Sequence, residues 1–398
     1  MCNNVQLIYL INCTIMHIFY IFGVMLHYLI SQTQQKKLQD LSVAYDRIER
    51  LADSLPDEKR NFVSNQSIIS NIGASTRIEN ALLTDIEVEW VDTVIKTEPH
   101  LEYVNRERYI KDKLSKDKER SVEEVAGYRN ALLLVFFSPE EFHSLSVSAI
   151  KGLHREMLKY YRHADYHLGD FKTIPNTVLE TDLTTGQSTT VLKTADPGII
   201  TETAMAELVS WYNEEINENP WTVAVAVELV FRFLAIHPFQ DGNGRLSRLL
   251  FHAALMAPPH STFRRSEPLC AIDRTIEQSR KQYYHVLRRC SDGAFSPDPA
   301  QYSYEYFLDY MIEALGHSTE NFTYYCRKYE HHQELSDASL RILSCFKSEP
   351  ERLLTTRELV DRAEMPRRTV IYSLNRLLDT GFIQRQGKGA ASRYRLIF

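Results

Sequence analysis

Cysteine is sparse and unpaired in this sequence. Cys2, Cys13, Cys270, Cys290, Cys326 and Cys345 are scattered along 398 residues, with no CxxC pair and no dense spacing. That argues against a zinc site and a disulfide framework, and for a reduced, cytoplasmic setting. Internal repeats and low-complexity tracts are also missing. A large excess of charge of one sign is lacking too, because a formal net charge of −6 excludes a protein that coats nucleic acid over its whole surface. What remains is 44% hydrophobic and 25% charged residues, an ordinary globular balance with room for two or three domains.

The small net charge hides an asymmetry. From Leu335 to Phe398 there are 12 Lys or Arg against 7 Asp or Glu, a local +5 that leaves −11 for everything before it. At the other end, no Asp, Glu, Lys or Arg occurs from Val5 to Ile30, enough residues to cross a hydrocarbon core of roughly 30 Å as a helix. Gln6, Asn12, His17 and His27 dilute that run, no basic segment precedes it, and no small-residue cleavage site follows. Three readings stand open for residues 1–32: a membrane anchor through residues 5–30 with Lys36 and Lys37 on its cytoplasmic side, a buried helix, or a start codon placed too far upstream.

Apolar spacing predicts a mainly α protein. Helices are expected over Leu38–Leu55, ending at Pro56, then Ser67–Val94, Ser121–Phe137, Ser138–Ala164, Ala204–Asn217, Trp221–Ile236, Arg245–Met256, Ile276–Arg289 and Tyr302–Tyr329. The charge run KDKLSKDKER at 111–120 reads as a solvated helix face or linker. One stretch breaks the pattern: NTVLETDLTTGQSTTVL, residues 176–192, is rich in Thr and Val around a Thr-Gly turn, a β-hairpin signal. After Leu335 come three short helices, Leu340–Phe346, Thr356–Ala363 with Thr355 or Thr356 as cap, and Arg367–Asp379. FIQRQ, GKGAAS and RYRLIF then form a basic hairpin, the plan of a winged helix-turn-helix. The expected divisions are 33–120, 121–330 and 335–398.

The chemistry concentrates in HPFQDGNGRLSR, residues 237–248. His237-Pro238 ends one helix, since proline removes a donor and disfavours helix at the residue before it. Gly242 and Gly244 allow backbone amides to point into one concavity, and Arg245 opens a helix whose free N–H groups favour an anion. Arg245 and Arg248, at i and i+3, share a face there and can grip phosphate oxygens bidentately. Asp241 among these cationic groups would repel phosphate unless a cation bridged them, and Mg²⁺ is suited to that. His237 has an ordinary pKa near 6.5, which suits a general base.

This segment closely resembles the signature of Fic (filamentation induced by cyclic AMP) proteins, position for position. The resemblance implies transfer of AMP from ATP to a Ser, Thr or Tyr hydroxyl of a protein, on a Fic-type helical core. It implies His237 as the base, Asp241 as the Mg²⁺ ligand, Gly242, Asn243, Gly244 and Arg245 at the α- and β-phosphates, Arg248 at the γ-phosphate, and Phe239 as a core residue fixing the loop. The 176–192 hairpin resembles the family's flap, which aligns a target by strand addition, and Gly169-Asp170-Phe171 leading into it is similar too. Ser75-Thr76-Arg77-Ile78-Glu79-Asn80 resembles the inhibitory motif of these proteins, with Asn80 where many relatives have Gly. That makes Ser75 and Glu79 inhibitory, with Glu79 paired to Arg248. Tyr283 and Tyr284 resemble paired tyrosines near the adenine. The C-terminal winged helix is similar to an element of bacterial Fic proteins.

Alternatives remain at this level. The chain is an AMP-transferring enzyme, a DNA-binding regulator whose Fic domain senses nucleotide, or an enzyme that removes AMP with Glu79 positioning water. Expected partners are a protein substrate, the chain itself as AMP acceptor and as homodimer partner, and DNA through the winged helix.

Overall fold

A helix that is apolar all round is satisfied only in the centre of a protein, and Thr222–Ile236 is such a helix, buried from Val223 to Ile236. It is the axis of the computed structural model of the chain, which describes residues 26–96, 103–161, 167–181, 185–347 and 349–397. Before it come α1 (Gln32–Asp53), α2 (Asp57–Ile78), α3 (Asp85–Lys96), α4 (Tyr103–Lys113), α5 (Glu119–Phe137), α6 (Val147–Leu158), the hairpin β1 (Thr177–Thr181) and β2 (Ser188–Lys193), and α7 (Ile199–Glu218). The central helix is α8 (Thr222–Ile236), followed by α9 (Asn243–Met256), α10 (Ile272–Gln278), α11 (Arg280–Ser291) and α12 (Tyr304–Gln333). One hydrophobic core runs from Leu38 to Tyr325. The expected boundary at 120/121 therefore divides no core: α1 and α2 pack into the same interior as α8 and α9.

The C-terminal unit has α13 (Asp337–Lys347), β3 (Leu354–Thr355), α14 (Thr356–Ala363), α15 (Arg367–Asp379), β4 (Ile383–Gln386) and β5 (Arg393–Leu396). Its antiparallel sheet has the order β3-β5-β4, a winged helix-turn-helix with its own core of Ile342, Phe346, Leu359, Leu374 and Phe382. The Thr355 side chain accepts from Glu358 N–H while Glu358 reaches back to Thr355 N–H, so a capping box starts α14. Ile86 of α3 inserts into this core, and the Lys328 ammonium on α12 donates to the carbonyls of Thr380 and Gly381. The wing unit is thus docked on the helical body.

Several expectations change. The helix predicted over Ser67–Val94 is two helices, α2 and α3, because α2 ends in a turn at Glu79–Asn80. Ile276–Arg289 likewise splits, at Ser279, and the described part of Ser138–Ala164 is α-helical only over α6, after a short 3₁₀ turn. The charge run at 111–120 is not simply solvated: Lys111 pairs with Glu107 and Glu123, and Lys118 with Glu87 and Glu351, so its cations tie elements together. β1 and β2 pair from Thr177↔Lys193 to Thr181↔Ser188 with a bulge at Val178/Leu179. The tip at 182–184 lies outside the described residues, as does most of the 5–30 run. The end of that run is packed on the protein: His27 Nδ1 meets Glu228 at 2.5 Å and Tyr28 stacks on Tyr304. Leu26–Ile30 therefore belong to the folded body and not to a membrane span. Among the described residues no helix is long and apolar enough to cross a membrane.

Candidate active site

The α8 helix stops at His237, whose backbone is left-handed at φ 51°, ψ 59°. For a residue with a Cβ that conformation costs on the order of 1–2 kcal/mol, so its surroundings must hold it. Its N–H donates to Phe233 O at 2.8 Å, and Nδ1 lies 3.3 Å from Leu234 O. A carbonyl only accepts, so Nδ1 carries the proton and Nε2 keeps its lone pair. Among the described residues Nε2 has no hydrogen-bond partner. Burial, reinforced by the nearby Lys172 charge, lowers the imidazole to about 4, so it is neutral across the physiological range. A neutral, half-buried imidazole with an open lone pair is the form a general base requires.

The loop after it is tied from within. Asn243 Nδ2 donates to Phe239 O at 2.7 Å and its Oδ1 accepts Phe239 N–H at 2.9 Å. The Asn243 side chain is thus occupied in closing the loop, and what it offers a phosphate is its backbone N–H at the start of α9. Gly242 sits at φ 81°, a left-handed conformation that calls for glycine, and a Cβ there would also have to displace the end of the Met157 side chain at 2.8 Å. Asp241 Oδ1 accepts from Gly242 N–H at 2.6 Å and lies 3.4 Å from Arg245 Nη2. Burial pushes the Asp241 carboxyl up, but the Arg245 guanidinium and the Gly242 N–H outweigh it and hold it below its ordinary value. Arg245 is 2% exposed, with Glu124 3.6 Å from its Nη1, yet among the described residues its Nε and Nη1 have no hydrogen-bond partner. Buried guanidinium donors are costly to leave unmet, and at a helix N-terminus they mark a seat for an anion.

A carboxylate already leans on that seat. Glu79 follows the last turn of α2, and a Cβ added at Gly244 would collide with its carboxylate. Glu79 Oε1 accepts from Arg248 Nη2 at 3.0 Å, while Arg248 Nε and Nη2 donate at 2.7 Å to the hydroxyl and carbonyl of Ser75. Arg248 is 3% exposed and held by Ser75 of α2 and by Glu79 just after that helix. The turn that delivers Glu79 is a Schellman cap: Asn80 is left-handed at φ 71°, and Ala81 N–H reaches Thr76 O. That geometry explains why Gly or Asn suits position 80. Tyr283 and Tyr284, in contact with each other at 5.4 Å, are buried, and the charges of Glu79 and Arg248 act on both. Phe239 is fully buried, as expected for a residue that fixes the loop.

Sequence reasoning missed the second ring of residues. His154 accepts Gly169 N–H at Nδ1 and meets Asp241 O at 3.0 Å through Nε2. It also stacks on Phe239 at 3.9 Å. Lys172 and Asn176, between the Gly169-Asp170-Phe171 stretch and the hairpin, bond to the backbone of residues 236–239. Glu124 on α5 neighbours Arg245. Only the closeness of Lys172 to Gly169-Asp170-Phe171 and the place of Asn176 at the start of the 176–192 hairpin could have flagged any of them. Behind Arg248 lies a buried charge cluster: His252 sits between Glu267 and Asp273, and Tyr128 donates to Asp273 at 2.9 Å. Burial works against the His252 charge, but the two carboxylates prevail and raise it to about 10.

The Fic/DOC family matches residues 144–255, and the IclR helix-turn-helix domain matches residues 337–387. Over 93 residues the chain is 36% identical to the protein adenylyltransferase Fic of Drosophila mojavensis, covering 23% of this chain and 16% of that one. The corresponding protein of Drosophila grimshawi is 36% identical over 23% of this chain and 17% of its own length. The chain thus spans about a sixth of the length of these relatives. Among solved structures it is similar to a Fic family protein from Desulfovibrio desulfuricans G20, with a TM-score of 0.51, 19% identity, and 93% and 97% of the two chains covered. Fic-1 from C. elegans gives a TM-score of 0.51 at 17% identity over 81% and 78%. At such identities the likeness is one of fold.

Proposed function

We propose, for a chain that carries a Fic domain at residues 144–255, that it transfers AMP from ATP to a hydroxyl of a protein and is held back by Glu79. The observation that carries this reading is the pairing of a neutral His237 with an unmet buried Arg245 across one loop. The acceptor hydroxyl attacks the α-phosphorus and gives its proton to His237 Nε2. A P–O bond forms to the acceptor, the bond to pyrophosphate breaks, and pyrophosphate leaves. The first-turn N–H groups of α9 and the Arg245 guanidinium bind the phosphates and stabilise charge as it develops on them. Asp241, its two contacts both on Oδ1, fits a Mg²⁺ ligand. Among the described residues no three His, Cys, Asp or Glu side chains converge into a metal cage, and a cation held by one carboxylate plus substrate phosphates needs none. Mg²⁺ would neutralise phosphate charge and orient the triphosphate.

Glu79 restrains the reaction by position. Its carboxylate lies against Gly244 and holds Arg248, so a γ-phosphate arriving there meets a negative charge and no free guanidinium. The test is His237→Ala labelled with [α-³²P]ATP under single-turnover conditions. Labelling should fall by about 10² to 10⁴ while nucleotide binding persists, and labelling equal to the parent overturns the role of His237.

A second reading concerns the C-terminal unit. Arg367, Arg368 and Tyr372 of α15, Arg385 of β4, Lys388 of the wing and Arg393 of β5 are exposed, and this distribution supports contact with the phosphates of duplex DNA. A mobility-shift titration at low salt tests it, and no shift refutes it.

A further inference from the structure

Lys172 stands where the fold has most need of a grip. Its backbone N–H donates to Pro238 O at 2.8 Å, and its ammonium donates to Ile236 O at 2.9 Å. These are the carbonyls on either side of His237, the one residue of α8's end forced into left-handed backbone. The two remaining ammonium protons go to Asn176 Oδ1 at 2.9 Å and Thr194 Oγ1 at 3.0 Å. Three donors meet three acceptors, all of them neutral, in a residue only 3% exposed. A cation buried without a carboxylate in contact is an expensive choice for mere packing.

We propose that Lys172 is the positioning residue of His237, clamping the chain on both sides of the histidine so that its imidazole is held in line for the acceptor hydroxyl. This rests on the transfer reading above. The clamp also links base and flap, because Asn176 and Thr194 lie at the two feet of the β1–β2 hairpin and Thr194 Oγ1 donates to Asn176 O at 2.7 Å. A target aligned on the flap and the base that deprotonates it are thereby fixed to one ammonium. The charged groups that act on His237 are Lys172, Glu79 and Asp241. Lys172 alone of these opposes protonation of the ring, and burial lowers the Lys172 ammonium to about 8 against the charge of Asp196, which acts on it in the opposite sense.

The experiment uses the full chain with Lys172→Met, which keeps length and loses charge, and Lys172→Arg, which keeps charge. The first readout is the NMR titration of His237 without nucleotide. Lys172→Met should move its midpoint upward by on the order of one pH unit, and Lys172→Arg should leave it near the parent's. The second readout is labelling in the Glu79→Gly background, where Lys172→Met should lower kcat by about tenfold or more with KM for ATP changed less than about twofold. If Lys172→Met does not fold, Thr194→Val weakens the same clamp and should move both readouts in the same direction by less. An unmoved His237 midpoint, or a loss that appears in KM with kcat intact, overturns the proposal. A Glu79→Gly protein that never labels overturns the transfer reading instead, and the titration still judges Lys172.

Discussion

Arg245 and Arg248 in the first turns of α9 are 2% and 3% exposed, each beside a carboxylate. Arg367 and Arg368, in the first turn of α15, lie open to solvent. Both pairs sit at a helix N-terminus, where cations oppose the helix dipole, so neither is there for helix stability. The difference is what the surroundings charge for them. On α9 each guanidinium is desolvated and has polar groups close by: Ser75 and Glu79 beside Arg248, Glu124 and Asp241 beside Arg245. On α15 water solvates the cations and salt screens them. Single substitutions should therefore have large effects around α9 and small ones on α15.

The largest effect should come from the cluster behind Arg248. Glu267→Leu removes one of two carboxylates from the buried His252 imidazolium, and breaking a buried pair typically costs about 3–5 kcal/mol. Urea unfolding measures it, and a loss below about 1 kcal/mol would contradict a buried charged cluster. The same cluster sets a pH dependence. His252 is raised in the folded state to about 10 from about 6.5 unfolded. Its contribution is complete below pH of about 6.5 and is lost as pH rises toward about 10, because there the unfolded chain has released a proton that the folded one still binds. Stability of the parent should decline across that window, and His252→Gln should decline less.

Next in size is the restraint on Arg248. Glu79→Gly frees the guanidinium and clears the space against Gly244, and self-labelling should rise about 10²-fold, the scale of a misplaced reacting group. Adding Arg248→Ala should abolish the gain. Equal labelling by parent and Glu79→Gly would sink the inhibitory role, and strong labelling by the double variant would sink the role of Arg248.

The two regions were also legible to different degrees. Around α9 the polar residues crowd into twelve positions between apolar helices, so His237, Asp241, Gly242, Gly244, Arg245 and Arg248 stood out. Their partners did not, because Ser75, His154, Lys172 and Glu124 reach the site only through tertiary packing. Of these Ser75 was recovered through family resemblance alone. Asn243 shows the limit of such carry-over: it stands at the N-terminus of α9, but its side chain closes the loop on Phe239. In the winged helix, α14 and α15 matched their expected bounds because a capping box and Pro366 mark their starts locally. The two-residue β3 was missed, since its pairing with β5 is set across forty residues and by no local pattern.

A smaller effect tests whether the winged helix is stabilised locally. Thr355→Ala removes the hydroxyl that accepts from Glu358 N–H, while the backbone N–H that donates to the Glu358 carboxylate in return remains. Caps of this kind contribute about 1 kcal/mol, and thermal unfolding of the full chain should show a shift of a few degrees, consistent with that size.

The smallest effects belong to the open cations. If α15 and the wing face duplex DNA, each phosphate contact adds roughly 0.9 to the slope of log K against log salt. Arg368→Ala or Lys388→Ala alone should lower that slope by about one and weaken binding similarly on every sequence, since phosphate contacts carry no base information. Tyr372 is 71% exposed in the middle of α15 with Ile371 beside it at 43%, and these are the side chains placed to meet base edges. Tyr372→Ala should leave the slope unchanged and reduce discrimination between sequences. Arg376 offers an internal control, because it is already paired with Glu334 at 3.1 Å and its removal should change the slope less than that of Arg368. A slope that ignores Arg368 and Lys388 but responds to Arg376 would place the nucleic acid on another face, and a slope near zero for all of them would leave α15 as a surface for protein.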